Sequence, residues 1–523
     1  MVAKFELTDS SVVVIIGTGA GGGTLANELA QKGVKVVALE AGGRYLPEDY
    51  VNDEWESFGQ LAWLDKRTTS GDWRVADDFS GLPAWIVKAV GGTTTHWAGA
   101  SLRFQDHEWK ALTNYGRIEG ANLLDWPIDG AEMAPWYDMA EEKMAVTRTG
   151  NRPGLPGNNN YKVLEKGALA VGYTKVHTGH MAIMSRDDGD RTPCQQTGFC
   201  FQGCKWGAKW STAYTEIPAG EATGNLEVRE RSHVARIEHD AAGKVTAVVY
   251  FDAEGKEQRQ AARIVCVAGN TIESPRLLLN SASDMYPEGL ANSSGQVGRN
   301  YMRHVTGSVY GVFDKPVKMW RGTTMAGVIQ DEAGHDTARG FSGGYELETL
   351  SLGLPFMAAF LDPGNWGREF TTALDSYENM AGMWIVGEDM PQETNRVTIN
   401  KDIPDQFGIP SPNVNYSDHP NDVAMRNHAY AQGAAIYKAV GATRVFPTPP
   451  YPSTHNLGTN RMSESPRDGV VNKWGQTHDI ANLFISDGSQ FTTGAAENPT
   501  LTIVALAIRQ ADHIASEMAA GTI

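Results

Sequence analysis

Three glycines and one carboxylate near the amino terminus have the spacing of a nucleotide-binding turn. Gly17, Gly19 and Gly22 form the pattern G-x-G-x-x-G directly after a run of β-branched residues, and Glu40 ends the next apolar run. Glycines allow a tight turn and let backbone amides approach a pyrophosphate at the start of a helix. A carboxylate at the end of the second strand can accept hydrogen bonds from a ribose. These residues predict a dinucleotide site and leave open whether the dinucleotide is FAD or NAD.

Three of the four cysteines lie within one short segment. Cys194, Cys200 and Cys204 fall within residues 194–204, whereas Cys266 lies in an apolar run and is expected to be a small core residue. Three thiolates from one compact loop can bind a soft metal centre such as an iron–sulfur cluster. A structural zinc site would need a fourth ligand, and none is evident nearby. A disulfide would leave an odd thiol, and free thiols are the remaining alternative.

The glycine turn lies between elements that would position it. Residues 11–16 and 34–39 have the apolar pattern of buried strands and residues 20–32 that of a helix, so the chain opens with a βαβ unit. Further strands are expected at residues 225–237, 245–251, 263–267 and 482–486, and a long closing helix at 500–519. From about residue 300 to 450 the pattern favours an antiparallel sheet with a helix. The predicted fold class is α/β.

Composition and charge exclude some classes of partner. The chain has 523 residues, of which 41% are hydrophobic and 20% charged, which is typical of a globular protein with a large core. A net charge of −17 disfavours nucleic acid. The best apolar run, residues 499–508, is much shorter than the roughly 20 residues of a spanning helix, so no direct membrane insertion is expected. No secretion signal is visible at the amino terminus.

Several segments, in order along the chain, resemble the glucose–methanol–choline (GMC) family of flavoprotein oxidoreductases. They are E-A-G-G at residues 40–43, V-G-G-T-T-T-H-W-A-G at 90–99, S-H-V-A-R-I at 232–237, A-G-N-T-I-E-S-P-R-L-L at 268–278, D-G at 487–488 and N-P-T-L-T-I at 498–503. One departure is Ser281-Ala282, where the family usually has Ser-Gly. The resemblance implies that the dinucleotide is FAD.

The resemblance also implies a domain division and a set of cofactor contacts. A Rossmann-like FAD-binding domain is expected from discontinuous segments, residues 1–300 and 451–523, with the cysteine-rich loop at 190–212. Residues 301–450 are expected to form a substrate-binding domain with an antiparallel sheet and helices. The implied cofactor contacts are Gly17, Gly19, Gly22, Glu40, Gly92, Thr93, His96, Val234, Asp487, Asn498 and Pro499. Several family members bond a histidine of this loop to the flavin, so His96 is expected either to be so attached or to pack beside the ring.

The implied chemistry is the oxidation of an alcohol. In the family, a histidine near the carboxyl terminus removes the hydroxyl proton, and a second histidine or an asparagine orients the oxygen. The segments T-H-N-L-G-T at 454–459 and E-N-P-T at 497–500 imply His455 as the base and Asn498 as its partner, with hydride transfer to flavin N5. Without the resemblance, a histidine in such a polar loop would be interpreted as a solvated side chain.

The cysteine spacing resembles that of the catalytic subunits of bacterial FAD-dependent glucose, gluconate and glucoside dehydrogenases, whose loop holds a three-iron, four-sulfur cluster. Those relatives carry an extra cysteine where this chain has Gln195. The resemblance implies a sugar, glycoside or polyol substrate, an external electron acceptor, a small partner subunit, a cytochrome c, and a periplasmic location through that exported partner. Open alternatives are an oxidase that uses oxygen, a dehydrogenase of aliphatic or aromatic alcohols, a non-catalytic flavin electron carrier, and a cytoplasmic location.

Overall fold

A computed structural model describes residues 4–56, 86–187, 191–351, 353, 366–450 and 455–523. Thr454, which opens the predicted catalytic segment, lies outside these residues. The α-helices are α1 (Ala20–Gln31), α2 (Ala111–Tyr115), α3 (Gly130–Met144), α4 (Asn159–Ala170), α5 (Glu216–Ala222), α6 (Asn270–Asn280), α7 (Arg368–Asp375), α8 (Pro420–Ala439) and α9 (Thr500–Ala520). The strands are β1 (Val13–Ile16), β2 (Val36–Leu39), β3 (Val176–His177), β4 (Leu226–Arg229), β5 (His233–His239), β6 (Val245–Phe251), β7 (Glu257–Ala261), β8 (Ile264–Val267), β9 (Val305–Val312), β10 (Val328–Ile329), β11 (Tyr345–Thr349), β12 (Met380–Gly387), β13 (Arg396–Pro404), β14 (Pro410–Asn415), β15 (Arg444–Pro447) and β16 (Leu483–Ile485).

A five-stranded parallel sheet carries the glycine turn. Its strand order is β16-β8-β1-β2-β4, and every residue of β1, β2, β8 and β16 is buried. Continuous apolar strands are expected where both faces of a parallel sheet are covered, here with α1 and α9 packed together beside the sheet. Cys266 of β8 is fully buried, as predicted. The opening βαβ unit is confirmed.

The strand predicted at residues 225–237 is wrong as a single element. The chain forms β4, which joins the edge of the parallel sheet, and then β5, which pairs with β6 in a separate antiparallel sheet β5-β6-β7. Arg231 separates the two strands in a left-handed conformation with φ of 51°. The polar run R-E-R-S at residues 229–232 interrupts the apolar pattern, so the sequence did carry a signal of this break.

A six-stranded antiparallel sheet forms the other side of the molecule. Its order is β15-β9-β12-β11-β10-β3, and α8 and α4 pack against it. The edge strand β3 lies outside residues 301–450, to which the substrate-side sheet was assigned. Pairing of β11 with β12 places Glu348 opposite Trp384. The α/β class with parallel and antiparallel sheets is confirmed.

Hydrophobic side chains from each sheet form separate parts of the core. One cluster fills the space between the parallel sheet, α1 and α9, and another lies between the six-stranded sheet and α8. Among the described helices, none combines the length and hydrophobicity that crossing a membrane requires.

Candidate active site

One long cavity is lined by residues from both large sheets. Its walls include the glycine turn, the ends of β2 and β8, the segment 92–100, β5, α6, and Glu348 and Trp384 of the six-stranded sheet. The predicted residues that line it are Gly17, Gly19, Glu40, Gly92, Thr93, His96, Val234, His455, Asp487, Asn498 and Pro499. Segments that are hundreds of residues apart in sequence therefore meet around one space.

The glycine turn leaves backbone amides open toward this cavity. Gly19 is the N-cap of α1 and provides no side-chain cap, so the first amides of the helix are available to an anion. A Cβ atom at Gly19 would meet only Gly92 Cα at 3.9 Å, so the protein itself would tolerate it. Gly17 has φ of 97°, and its Cβ would lie 2.4 Å from the Ala268 carbonyl oxygen. Such an uncapped, side-chain-free helix start fits a pyrophosphate.

The third predicted glycine has a different function from the first two. Gly22 does not line the cavity, and its Cβ would lie 2.1 Å from the Gly17 carbonyl oxygen. Its assignment as a cofactor contact is therefore corrected to close packing of α1 on the turn. Gly21, which the sequence analysis did not single out, lines the cavity, and its Cβ would lie 1.7 Å from the Ser486 carbonyl oxygen.

Glu40 lies at the end of β2 and is buried. Its carboxylate accepts hydrogen bonds from the Thr18 amide (3.0 Å), the Thr18 hydroxyl (2.7 Å) and the Gly42 amide (3.0 Å). Burial raises the pKa of this carboxyl despite these bonds. A carboxylate has lone pairs for additional donors. Glu40 thus fixes the turn and still presents an acceptor at the place expected for a ribose.

Residues 92–97 and the cysteine-rich loop are tied together by one buried lysine. The Lys209 ammonium donates to the carbonyl oxygens of Thr95 (3.0 Å), Trp97 (2.7 Å) and Cys200 (2.6 Å). His96 Nδ1 lies 3.2 Å from the Phe201 carbonyl oxygen of the same loop. Burial, with a smaller effect of Lys209, lowers the pKa of His96 to about 3, so this imidazole is neutral. No sequence motif pointed to Lys209.

The three clustered cysteines line a small cavity of their own. All are free thiols, which excludes the disulfide alternative in this structure. The Gln196 amide donates to Cys194 Sγ (3.4 Å) and the Lys209 amide to Cys204 Sγ (3.5 Å). Within the described residues, no group of three or more His, Cys, Asp or Glu side chains is arranged to hold a metal ion. The residues as placed do not fit a metal cluster, so assignment of these thiols as its ligands stays a prediction.

The predicted catalytic pair is brought together with a third side chain. His455 Nε2 lies 3.5 Å from Asn498 Nδ2, and His455 Nδ1 lies 3.1 Å from His304 Nδ1. The two imidazoles meet edge to face with centroids 5.0 Å apart. Burial lowers the pKa of His455 to about 3 and that of His304 well below its usual range, with a further decrease at His304 from His455. Both rings are therefore neutral and share one Nδ1 proton.

His304 is held in place through its backbone. It is fully buried and left-handed, with φ of 64°, which is costly for a residue other than glycine. The Asp389 carboxylate accepts hydrogen bonds from the Arg303 amide (2.7 Å) and the His304 amide (3.1 Å). These two bonds stabilise the turn that directs His304 toward His455.

Two side chains of the six-stranded sheet complete the space around His455. The Trp384 ring lies 5.2 Å from the His455 ring, and the Glu348 carboxyl hydrogen-bonds the Asn498 side chain. Glu348 is buried, which raises its pKa to about 8, so it is protonated at neutral pH. Neither residue was predicted. The pattern Y-E-L-E-T was an available signal, because two acids at alternate positions of a buried strand share one face.

Further acidic residues are buried beside this site. The Glu108 and Glu497 carboxyls hydrogen-bond each other, which requires a shared proton. The Tyr115 hydroxyl donates to Glu388 Oε2 (2.8 Å), and burial raises the pKa of Glu388 to about 8. Glu388 is therefore protonated at neutral pH, and Glu108 and Glu497 hold one proton between them.

Asp487 connects three elements at the cavity wall. Its carboxylate accepts hydrogen bonds from the Asn270 amide (2.9 Å) and the Ser274 hydroxyl (2.5 Å) of α6. It also accepts from the Ser489 amide (2.8 Å) that follows β16. Asp487 therefore fixes the shape of the cavity wall where the carboxyl-terminal segment meets α6.

Two family profiles match this chain. Both describe the GMC oxidoreductases, the amino-terminal one over residues 81–306 and the carboxyl-terminal one over residues 391–507.

Proteins that match along nearly the whole chain include several oxidoreductases. A 2-methyl-1,2-propanediol dehydrogenase of Mycolicibacterium austroafricanum is 33% identical, covering 97% of this chain and 95% of the relative. The fructose dehydrogenase large subunit of Gluconobacter japonicus is 29% identical over 98% of this chain and 99% of its own. Among solved structures, a pyridoxine 4-oxidase from Mesorbium loti has a TM-score of 0.68 at 17% identity, covering 96% of this chain and 99% of that one. The last similarity establishes the fold.

Proposed function

The chain belongs to the GMC oxidoreductase family, whose dehydrogenases act on CH–OH groups, and on that premise we propose that it is an FAD-dependent dehydrogenase of a small polyol or sugar-type alcohol. The observation that carries the proposal is the joint placement of His455 and Asn498 on the wall of the cavity that begins at the glycine turn.

The residues of this cavity fit FAD. The open amides of α1 and the Glu40 carboxylate match a nucleotide, and Gly92, Thr93, His96 and Asn498 line the remainder of the space. When bound, FAD supplies the acceptor for a hydride. His96, with its neutral imidazole, would pack beside the flavin or be bonded to it.

His455 is the base of the proposed reaction. The two imidazoles share one proton between their Nδ1 atoms. When His455 is the donor of that proton, its Nε2 carries no hydrogen and keeps a lone pair. That nitrogen can accept the proton of a substrate hydroxyl while the carbon loses its hydride, which leaves a carbonyl. The Asn498 amide beside Nε2 can hold the same oxygen. A neutral His455 at working pH is the form that this step requires.

The substrate class is supported by the named relatives. A 2-methyl-1,2-propanediol dehydrogenase and the large subunit of a fructose dehydrogenase act on polyhydroxylated compounds, and a paromamine 6'-oxidase of Streptomyces fradiae is 29% identical to this chain. Several acceptor and donor groups around His455 suit such a compound better than a simple alkanol.

Electrons are proposed to leave for an external acceptor. The name of the fructose dehydrogenase relative describes a large subunit, so we also propose a small partner subunit, a cytochrome c acceptor and a periplasmic location through that partner. Copurification of a small subunit with the tagged chain from its native source supports this assembly. A chain that is recovered alone and reduces no cytochrome contradicts it.

The test of the main proposal is reduction of the bound flavin by substrate. We expect the purified holoenzyme to lose its flavin absorbance when mixed anaerobically with polyols or sugars, and His455→Ala to retain FAD but react at least about 100-fold more slowly. Reoxidation by ferricyanide but not by air identifies a dehydrogenase, whereas rapid reoxidation by air identifies an oxidase. Failure of every alcohol to reduce the flavin contradicts the proposal and favours an electron carrier.

Acid precipitation and metal analysis test two further expectations. Flavin that stays in the pellet indicates a bond to His96, and flavin in the supernatant indicates packing only. Iron and sulfide at a ratio of three to four per chain, lost on replacement of Cys200 by Ser, support the three-iron, four-sulfur cluster. A metal-free protein contradicts it.

A further inference from the structure

Three buried polar atoms in the cavity wall beside His455 have no hydrogen-bond partner within the described chain. They are Glu348 Oε1, Trp384 Nε1 and Asn498 Oδ1, and all three residues line the cavity. Glu348 is 2% exposed and Asn498 4% exposed. Leaving such an atom buried and unpaired is unfavourable, because the atom loses its hydrogen bonds to water without replacement. Three together in one wall indicate that a bound molecule supplies their partners.

Two of these atoms belong to one cross-strand pair. Glu348 of β11 is directly opposite Trp384 of β12, so their side chains leave the sheet on the same face and lie next to each other. The indole N–H can only donate, and a protonated carboxyl both donates and accepts. Together they offer complementary contacts to a group that is itself both donor and acceptor, and a hydroxyl is such a group.

This pair is also close to the catalytic pair. The Trp384 ring is 5.2 Å from the His455 ring, and Glu348 hydrogen-bonds Asn498. If the reacting hydroxyl of a substrate lies at His455 and Asn498, the carbon next to the one that carries this hydroxyl would lie near Glu348 and Trp384. The apolar side chains of Met325 and Leu350 line the same cavity and can cover the carbon skeleton.

We propose that the Glu348 carboxyl and the Trp384 indole N–H form a subsite for a second hydroxyl group, on the carbon next to the one whose hydroxyl faces His455. The proposal rests on the proposed alcohol oxidation and narrows its substrate class to vicinal diols and their sugar and polyol equivalents. Asn498 Oδ1 is left to accept from the reacting hydroxyl or from the second one.

An ammonium group is the alternative occupant, because an ionised Glu348 would pair with it. Burial raises the pKa of Glu348 to about 8, and in the described structure no cation pairs with it, so the neutral carboxyl matches a neutral hydroxyl. Replacement of Glu348 by glutamine would affect the binding of the two occupants differently. An amide keeps one donor and one acceptor for a hydroxyl but cannot neutralise an ammonium.

The first experiment measures binding without turnover. Pinacol is a vicinal diol whose carbinol carbons carry no hydrogen, so it cannot be oxidised. We expect holoenzyme to bind pinacol about tenfold more tightly than the analogue with one hydroxyl replaced by hydrogen, by calorimetric titration or flavin difference spectra. Glu348→Leu and Trp384→Phe should each abolish this preference, Glu348→Gln should keep most of it, and Trp366→Phe, at a tryptophan that is 88% exposed, should keep all of it.

The second experiment compares three substrates of similar size: propylene glycol, n-propanol and alaninol. We expect flavin reduction at limiting substrate to be at least about tenfold faster with propylene glycol than with n-propanol, and this ratio to fall toward one in Glu348→Leu and Trp384→Phe. FAD content and melting temperature show that each variant is folded.

Equal behaviour of diol and mono-alcohol in both assays would overturn the subsite. It is also overturned, in favour of an ammonium site, if alaninol is preferred and Glu348→Gln loses as much as Glu348→Leu. Failure of the proposed oxidation itself is distinguishable, because it abolishes reduction by all three alcohols while the binding preference for pinacol can still be measured.

Discussion

At the scale of single residues, the proposed base, His455, contacts a neighbour from a turn that is distant in sequence. His304 Nδ1 lies 3.1 Å from His455 Nδ1, and the left-handed backbone at His304 is stabilised by the Asp389 carboxylate. When His455 donates in this bond, its proton lies on Nδ1 and its Nε2 keeps a lone pair. We therefore propose that His304 is a positioning residue for His455.

Substitution of His304 should slow proton abstraction without weakening substrate binding. We expect His304→Ala to reduce the limiting rate of flavin reduction about 100-fold with little change in the substrate dissociation constant, because His455 loses the acceptor that holds its proton on Nδ1. His304→Asn should recover part of the rate, since asparagine tolerates the left-handed region and offers an acceptor oxygen. Stopped-flow measurements separate the two constants. If His304→Ala and His304→Asn reduce the flavin equally slowly, or if either variant loses its FAD, the function of His304 is purely structural.

The pH dependence of flavin reduction should reflect the low pKa of the base. Burial lowers the pKa of His455 to about 3, and the groups that face it, His304, Asn498 and Trp384, are neutral. A base with this pKa is unprotonated at every pH above about 4, so the limiting rate should be flat from about pH 5 to about pH 7. A rate that falls by half near the ordinary histidine pKa of about 6.5 would contradict this environment.

At the scale of elements, two glycines at the start of α1 have different surroundings. Gly19 faces the cavity that fits the cofactor, and Gly21 packs against the protein interior. A methyl group at Gly19 would meet only Gly92 Cα at 3.9 Å, whereas one at Gly21 would overlap the Ser486 carbonyl oxygen at 1.7 Å. The first position faces the cavity and the second faces β16. The same kind of substitution therefore has two different expected consequences.

Gly19→Ala should yield a folded protein that binds FAD weakly. We expect its apoprotein to melt within a few degrees of the wild-type apoprotein and its FAD affinity to fall about tenfold or more, because the added methyl would meet the cofactor alone. Gly21→Ala should lower the melting temperature even without FAD, since α1 must move off the sheet. Melting curves and reconstitution titrations of both apoproteins measure this. Normal FAD affinity in Gly19→Ala would disprove that the turn contacts the cofactor.

At the scale of the whole molecule, the buried acidic residues couple folding to pH. The folded-state pKa of Glu388 is raised to about 8 by burial, above its ordinary value of 4.5, so the folded protein keeps a proton that the unfolded chain releases. The contribution of Glu388 to the free energy of unfolding is largest below pH 4.5 and is lost as the pH rises toward 8. The buried histidines have the opposite effect, but only below about pH 6.5, where the unfolded chain begins to bind protons.

Stability should therefore decrease between about pH 6.5 and about pH 8. Glu388 alone should contribute about 2 kcal/mol to this decrease, and Glu388→Gln should remove that part because an amide does not titrate and can still accept from Tyr115. Apparent melting temperatures of holoenzyme at the two pH values test this, with Glu254→Gln at an exposed position as the control. The same decrease in wild type and Glu388→Gln would contradict it.

The sequence by itself determined the opening βαβ unit, the nucleotide turn and the family. Gly17, Gly19 and Glu40 are close in sequence, so their spacing alone fixes a local geometry. His455 and Asn498 were predicted from motifs, and His455 Nε2 lies 3.5 Å from Asn498 Nδ2, whereas their catalytic function stays a prediction. Gly22 was assigned to the cofactor because the pattern cannot distinguish a glycine that faces a ligand from one that packs against the turn itself.

Only the tertiary structure identified His304, Glu348, Trp384 and Lys209. His304 lies in a turn, Glu348 and Trp384 on two strands joined by a long connection, and Lys209 in the cysteine-rich loop. No motif spacing relates any of these residues to the residue that it contacts. Their positions depend on non-local strand pairing and on a left-handed turn, and the free energy that decides these comes from packing between distant segments rather than from local spacing.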